Sequence, residues 1–158
     1  MLFRSHVTHT VVDGDGTVGA LTRDVVVEAP PLGPSTCNRV GAVVTLTLGN
    51  NNEARLVRVG TAIKAIGPLV NDATCGGATT ALVDTIVVVG GVGNEALTLD
   101  LTGGVFGPGK TREAVGTSEI ELQVNLGAGY DTLTVIGTGV ADRFTITDDW
   151  HVIGRAHV

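Results

Sequence analysis

Residues 120–135 read IELQVNLGAGYDTLTV, and the rest of the chain from residue 43 onward repeats that pattern in weaker form. Ile120, Leu122, Val124 and Leu126 alternate with Glu121, Gln123 and Asn125, the two-residue period of a strand with one buried face. A glycine-rich bend ends at Asp131, and the alternation resumes in Thr132-Leu133-Thr134-Val135. The pattern predicts that Leu97, Leu99, Leu101, Ile120, Leu122, Val124, Leu126, Leu133 and Val135 point inward. Thr98, Asp100, Glu121, Gln123 and Asn125 are expected to point outward.

The same reading predicts strands at 43–48, 55–59, 62–66, 85–89, 96–101, 120–126, 132–136 and 143–147. No stretch sustains a 3.6-residue apolar period with caps, so no long helix is expected. Breaks fall at Gly49-Asn50-Asn51-Asn52, Gly67-Pro68, Gly76-Gly77, Gly90-Gly91, Gly103-Gly104 and Gly107-Pro108-Gly109. Many short strands divided in this way predict an all-β domain over residues 37–147. Residues 1–36 form an irregular segment that closes in a proline-rich linker, and 148–158 form a tail. Within residues 1–28, Val11-Val12 and Asp24-Val25-Val26-Val27-Glu28 are strand candidates and Asp13-Gly14-Asp15-Gly16-Thr17 a turn.

Composition narrows the core. Hydrophobic residues make up 43% of the 158, but aromatics only 3%, so Val, Leu, Ile and Ala must fill the interior. Flat layers of aliphatic side chains suit stacked strands. Twenty-three glycines, about twice the usual share, mark many turns. A net charge of −6 with only 10 scattered Lys and Arg argues against nucleic acid, which needs clustered cations. The apolar runs are far shorter than the roughly 20 residues that span a bilayer. The opening MLFRSHVTHTVVDGDG lacks the apolar core of a secretory signal, which leaves a cytosolic chain or a mature or truncated part of an exported one. Cys37 and Cys75 are too far apart for a CxxC site, leaving a disulfide or two buried thiols; the acidic, Gly- and Thr-rich composition favours an exported, bridged protein.

Two stretches share the order glycine, x, glycine, x, acid, x, leucine, threonine. They lie in Gly90-Gly91-Val92-Gly93-Asn94-Glu95-Ala96-Leu97-Thr98, which has every glycine of the repeat, and in Gly127-Ala128-Gly129-Tyr130-Asp131-Thr132-Leu133-Thr134. Leu48-Gly49-Asn50-Asn51-Asn52-Glu53-Ala54 and Gly137-Thr138-Gly139-Val140-Ala141-Asp142-Arg143-Phe144-Thr145 are degraded relatives. On these residues the chain resembles the RTX, or haemolysin-type, calcium-binding repeat proteins, whose repeat is G-G-x-G-x-D-x-U-x. It departs from that repeat at Glu95 in place of Asp, at Leu126 in place of the first glycine and at Val140 in place of a later one, and its copies are dispersed. The resemblance implies a short, irregular parallel β-solenoid or β-roll, with an antiparallel β-sandwich as the alternative. It further implies calcium held by Glu95, Asp131 and Asp142 in a cradle shaped by Gly91, Gly93, Gly127 and Gly129. Glu95, Glu113 and Asp131 lie 18 residues apart in succession, about two nonapeptides per coil, although Glu113 has no glycine turn beside it. The competing reading makes these residues ordinary corners with a solvated acid.

Catalytic chemistry has little to stand on. His6, His9, His151 and His157 all lie near the termini, and the carboxylate pairs Glu119/Glu121 and Asp148/Asp149 have only Tyr130 and Trp150 as Tyr or Trp partners for a sugar. The pairs Thr45/Thr47, Thr132/Thr134 and Thr145/Thr147 would matter if they formed a flat ladder facing ice or a polysaccharide; otherwise they are ordinary outward strand positions. The expectation is a non-catalytic extracellular or cell-surface module, structural or adhesive, whose partner is an extracellular polymer. The alternative is a carbohydrate-active β-helix enzyme.

Overall fold

The computed structural model describes residues 3–12, 14–16, 18–27, 30–112, 114, 118–140, 143–146 and 152–155. Two compact units emerge, Met1–Pro31 and Leu32–Val158. The first is an antiparallel hairpin of β1 (Phe3–Val12) and β2 (Val18–Val27), in register from Phe3 opposite Val27 to Val12 opposite Val18. Both strands run well beyond the short segments expected there.

The second unit holds β3 (Ser35–Val40), β4 (Val43–Thr47), β5 (Glu53–Val59), β6 (Ala62–Ile66), β7 (Val70–Asn71), β8 (Thr85–Val89), β9 (Ala96–Asp100), β10 (Glu121–Asn125), β11 (Thr132–Ile136), β12 (Arg143–Ile146) and β13 (Val152–Arg155). Two open, mixed sheets carry it, with strand orders β10-β8-β4-β3-β7 and β11-β9-β5-β6; β12 and β13 form a separate antiparallel pair. Among the described residues there is no helix, and so none long and apolar enough to cross a membrane.

Three strand–corner–strand arches organise the unit: β4 into β5, β8 into β9, and β10 into β11. Val43, Thr85 and Glu121 share one register position, and Glu53, Ala96 and Thr132 share another, all in parallel pairing. Side chains of equal parity therefore stack from arch to arch. Val44, Leu46, Ile86, Val88 and Leu122 meet Ala54, Leu56, Leu97 and Leu99 in one aliphatic core, which Ile120 and Phe106 complete.

The first arch is flanked by antiparallel strands. Gly41 and Gly60, at φ +61° and +63°, supply the left-handed conformation of two tight turns that fold β3 onto β4 and β6 onto β5. Two long excursions then return the chain to the next arch. Residues 67–84 cross past β3, where Cys75 is bonded to Cys37 in a disulfide with both residues fully buried. Residues 101–120 insert Phe106 into the core and are held by Arg58 Nη1, which donates to the Val105 carbonyl at 2.8 Å.

The inward positions are as expected. Leu97, Leu99, Leu101, Ile120 and Leu122 are buried, while Val124, Leu126, Leu133 and Val135 pack against the core half-exposed, in the strands that stand last in their two sheets. Glu121 and Asn125 are exposed, with Thr98 and Gln123 half-buried. Asp100 corrects the reading: it has outward parity but is completely buried. The chain bends back after β9, so Thr102 donates to Asp100 Oδ1 from N at 2.8 Å and from Oγ1 at 2.6 Å, and Arg55 of the neighbouring strand pairs with Oδ2. Alternation sets the direction of a side chain, not what later covers it.

The disulfide closes a loop with a sequence separation of 38 residues. Replacing both cysteines by alanine is expected to lower unfolding stability by about 3–4 kcal/mol in the chain-entropy account. Urea denaturation measures this, and a loss under about 1 kcal/mol would show that the bridge does not constrain the unfolded chain.

Candidate functional site

The corners are residues 48–52, 90–95 and 126–131. Since Glu53, Ala96 and Thr132 are in register, the residues just before them, Asn52, Glu95 and Asp131, occupy equivalent places. Glu95 is only 1% exposed. Its Oε1 accepts from Asn51 N in the first corner at 3.0 Å, and its Oε2 accepts from Gly91 N in its own corner at 3.1 Å. Its backbone N–H donates to Asp131 Oδ1 at 2.9 Å, so the third corner is tied in as well. A carboxylate buried between corners thus binds backbone amides that would otherwise lack partners.

One residue earlier, Asn51 Oδ1 accepts from Asn94 N at 3.1 Å, and Asn94 Oδ1 accepts from Tyr130 N at 2.9 Å. Asn52, also buried, turns its Nδ2 toward the carbonyls of Gly33 and Pro68, each 2.8 Å away, and toward Ser35 Oγ at 2.9 Å. Each corner hands hydrogen-bonding groups to the next. The backbone does the same: Ala128 N donates to Gly91 O at 2.9 Å, and Thr132 N to Glu95 O at 2.9 Å.

This contact explains the glycines. A Cβ at Gly127 would fall on the Gly91 carbonyl oxygen and one at Gly129 on the Gly93 carbonyl oxygen, far inside van der Waals contact. Both residues also have positive φ, +88° and +141°. Only glycine lets one corner lie directly on another.

The structure therefore brings Gly91, Gly93, Glu95, Gly127, Gly129 and Asp131 together in two adjacent corners. Asp142 and Glu113 lie outside the described residues. The Gly91 and Glu95 carbonyl oxygens each accept an amide of the next corner, and both Glu95 oxygens face N–H donors. Positive ends of amide dipoles aimed at a carboxylate satisfy it without a cation, so the buried Glu95 corner does not fit a calcium cage. Among the described residues no three His, Cys, Asp or Glu side chains converge. The outermost corner is different: Gly127, Gly129 and Tyr130 are exposed and Asp131 is half-buried.

Sequence reasoning placed the first corner among the degraded copies and assigned no role to its asparagines. The signal was the run Asn50-Asn51-Asn52 itself, since Asn supplies a turn oxygen as readily as Asp. Asp84 was also missed. It accepts from Thr111 N at 2.6 Å and Thr111 Oγ1 at 2.7 Å, pinning the long excursion to the start of β8. Burial raises the Asp84 carboxyl, but the bonds from Thr111 and Lys110 and the Lys110 charge outweigh it, and the group lies below the ordinary carboxylate value. Asp72 is lowered by the Thr74 hydroxyl and by the Gly76 and Thr74 amides.

No continuous threonine ladder crosses the described strands, because Thr45 stands beside Val87 and then Gln123. His151, His157, Asp148, Asp149, Trp150 and Thr147 lie outside the described residues. A shallow cleft of about 230 Å³ beside Asn51, Asn94, Glu53 and Pro68 is smaller than the roughly 300–1,000 Å³ of small-molecule sites. No family of known proteins matches the chain, nor does any curated protein or solved structure.

Glu95→Ala is expected to lose about 2–4 kcal/mol, because two amides at the corner lose their acceptor. Asp131→Ala, which removes one bond from a half-exposed group, should lose about 1 kcal/mol. Chemical denaturation of both variants checks the order, and equal small losses would show that the corner bonds are not stabilising. Acid titration gives a second check. The lowered Asp84 and Asp72 carboxyls contribute fully above their ordinary value of 3.8, and the contribution disappears as pH falls through their lower folded values. Asp84→Asn should flatten that acid limb; an unchanged limb would assign it to other groups.

Proposed function

We propose that this protein is a non-catalytic structural or adhesion module of an exported protein, built as a short parallel β-solenoid. The observation that carries the reading is the stacking of three arches at one register, with the polar atoms of their corners spent on one another. A catalytic site holds polar groups ready for a substrate, whereas here Glu95, Asn52 and Asp100 are buried and already bonded within the fold. The buried Cys37–Cys75 disulfide supports an oxidising compartment. Repeats of this kind offer long, rigid surfaces suited to an extracellular polymer.

Calcium remains the second reading, favoured by the exposure of the outermost corner around Asp131. On that reading Asp131 is the ligand, and an ion bound only to the folded chain adds about 2.7 kcal/mol at a hundredfold excess over Kd. Thermal melts in calcium and in chelator separate the two. A module held by its own hydrogen bonds melts at the same temperature in both. A calcium-dependent rise that Asp131→Ala abolishes would replace that account with an ion-stabilised one.

A further inference from the structure

The shallow cleft of about 230 Å³ lies beside the first two corners, with Leu32, Pro68 and Ala96 as apolar lining and Asn51, Asn94 and Glu53 as polar lining. The corner bonds fix how its two asparagines are turned. A backbone N–H can only donate, so Asn51 sets its oxygen against Asn94 N at 3.1 Å, and Asn94 its oxygen against Tyr130 N at 2.9 Å. Each Nδ2 then carries two N–H donors that no described residue accepts, and the Glu53 carboxylate likewise takes no bond from the described residues. Arg39 Nε is the single buried side-chain polar atom without a partner among the described residues, so the Nδ2 of half-buried Asn51 is open to solvent. Asn94 and Glu53 are exposed outright.

These groups select a ligand by elimination. The amides can only give hydrogen bonds and the carboxylate can only accept them, so a ligand that meets all three must do both. An anion would satisfy the amides but meets Glu53 and a chain of net charge −6. An ammonium group would satisfy Glu53 and leave the amides unmet. A peptide could do both through its backbone, but it binds a sheet by adding to a free edge, and β5, which Glu53 begins, already lies between β9 and β6. Neighbouring hydroxyls of a sugar both accept and donate, and the C–H face of the ring suits Leu32, Pro68 and Ala96.

We infer that this cleft binds one unit of a neutral polysaccharide, whose hydroxyls accept from Asn51 and Asn94 and donate to Glu53. The inference rests on the reading of the protein as an adhesion module and names the class of its polymer. The cleft is too small for a drug-sized ligand, yet one unit of a longer chain needs no more than a shallow seat. The polymer runs along the corners, because Tyr130 takes the next place in the row of Asn51 and Asn94 and is 91% exposed. Its ring offers an apolar face to a further sugar unit.

The test is native electrophoresis of the full chain through gels containing dextran, hydroxyethyl cellulose or galactomannan, with polygalacturonate and gelatin as the anionic and peptide arms. Retardation by at least one neutral polymer is expected; retardation by none, or by polygalacturonate or gelatin alone, overturns the inference. Asn51→Asp and Asn94→Asp each keep the oxygen that braces the next corner and remove the donor. Each should weaken retardation at least about tenfold with the melt unchanged, and retardation that survives both variants overturns the inference. Should either variant melt early, Tyr130→Ala at an exposed position decides in its place, by weaker retardation for the inference or unaltered retardation against it. Reducing ends are assayed alongside. Their release with Asn94-dependent retardation would end the non-catalytic reading and keep the cleft's ligand, whereas neither release nor retardation ends the inference and leaves the module reading standing.

Discussion

Backbone amides at the corners of a parallel stack have no strand ladder to satisfy them, and this constraint shapes the second unit. In the arches the flat strands look after themselves: β4, β8 and β10 pair along their length, as do β5, β9 and β11. At each corner the chain leaves one sheet for the other and the ladder stops. Glu95, buried between the first and third corners, resolves the problem by accepting from one neighbour and donating its own amide to the other. The glycines follow from the same requirement, since corners that exchange hydrogen bonds must approach too closely for a Cβ.

Once the corners are in register, the core follows. Equal parity stacks leucine on leucine and valine on isoleucine, and small aliphatic side chains fill the space between two sheets with almost no aromatic help. The excursions between arches are long, yet each is fastened at a few points. Residues 67–84 are held by the disulfide and by the bonds from Ile63 and Ala65, and residues 101–120 by Arg58, Asp84 and Phe106. Loop length adds only slowly to the closure cost, so a stack with widely separated repeats remains affordable when its returns are tied down.

The same chemistry that serves an ion in one setting serves the backbone in another. A carboxylate beside two glycines is a calcium ligand when it and main-chain carbonyls converge on an ion, and a corner brace when amide N–H groups converge on the carboxylate itself. At Glu95 the groups that face the carboxylate are donors. At Asp131 only Oδ1 is engaged by the preceding corner, and the surrounding residues face solvent. The difference lies in position within the stack: the Glu95 corner lies between the other two, whereas among the described residues the Asp131 corner adjoins the Glu95 corner alone.

Alternation and glycine placement in the sequence determined the all-β class, most strand positions and the inward set from Leu97 to Val135, because those depend on contacts within a few residues. The cysteine pair was legible as two alternatives, and the fold brings them to a Cα–Cα distance of 4.5 Å, bonded. The shared glycine-acid order already set Ala96 against Thr132, 36 residues away, but only the tertiary structure placed the first arch in the same parallel register, with Glu53 beside Ala96, 43 residues apart. That register made Asn52 the counterpart of Glu95 and Asp131, buried Asp100 under Arg55 and Thr102, and turned Glu95 from a solvated acid into an internal brace. Side-chain direction is a local property of a strand, whereas burial and partnership depend on which distant segment the chain lays beside it.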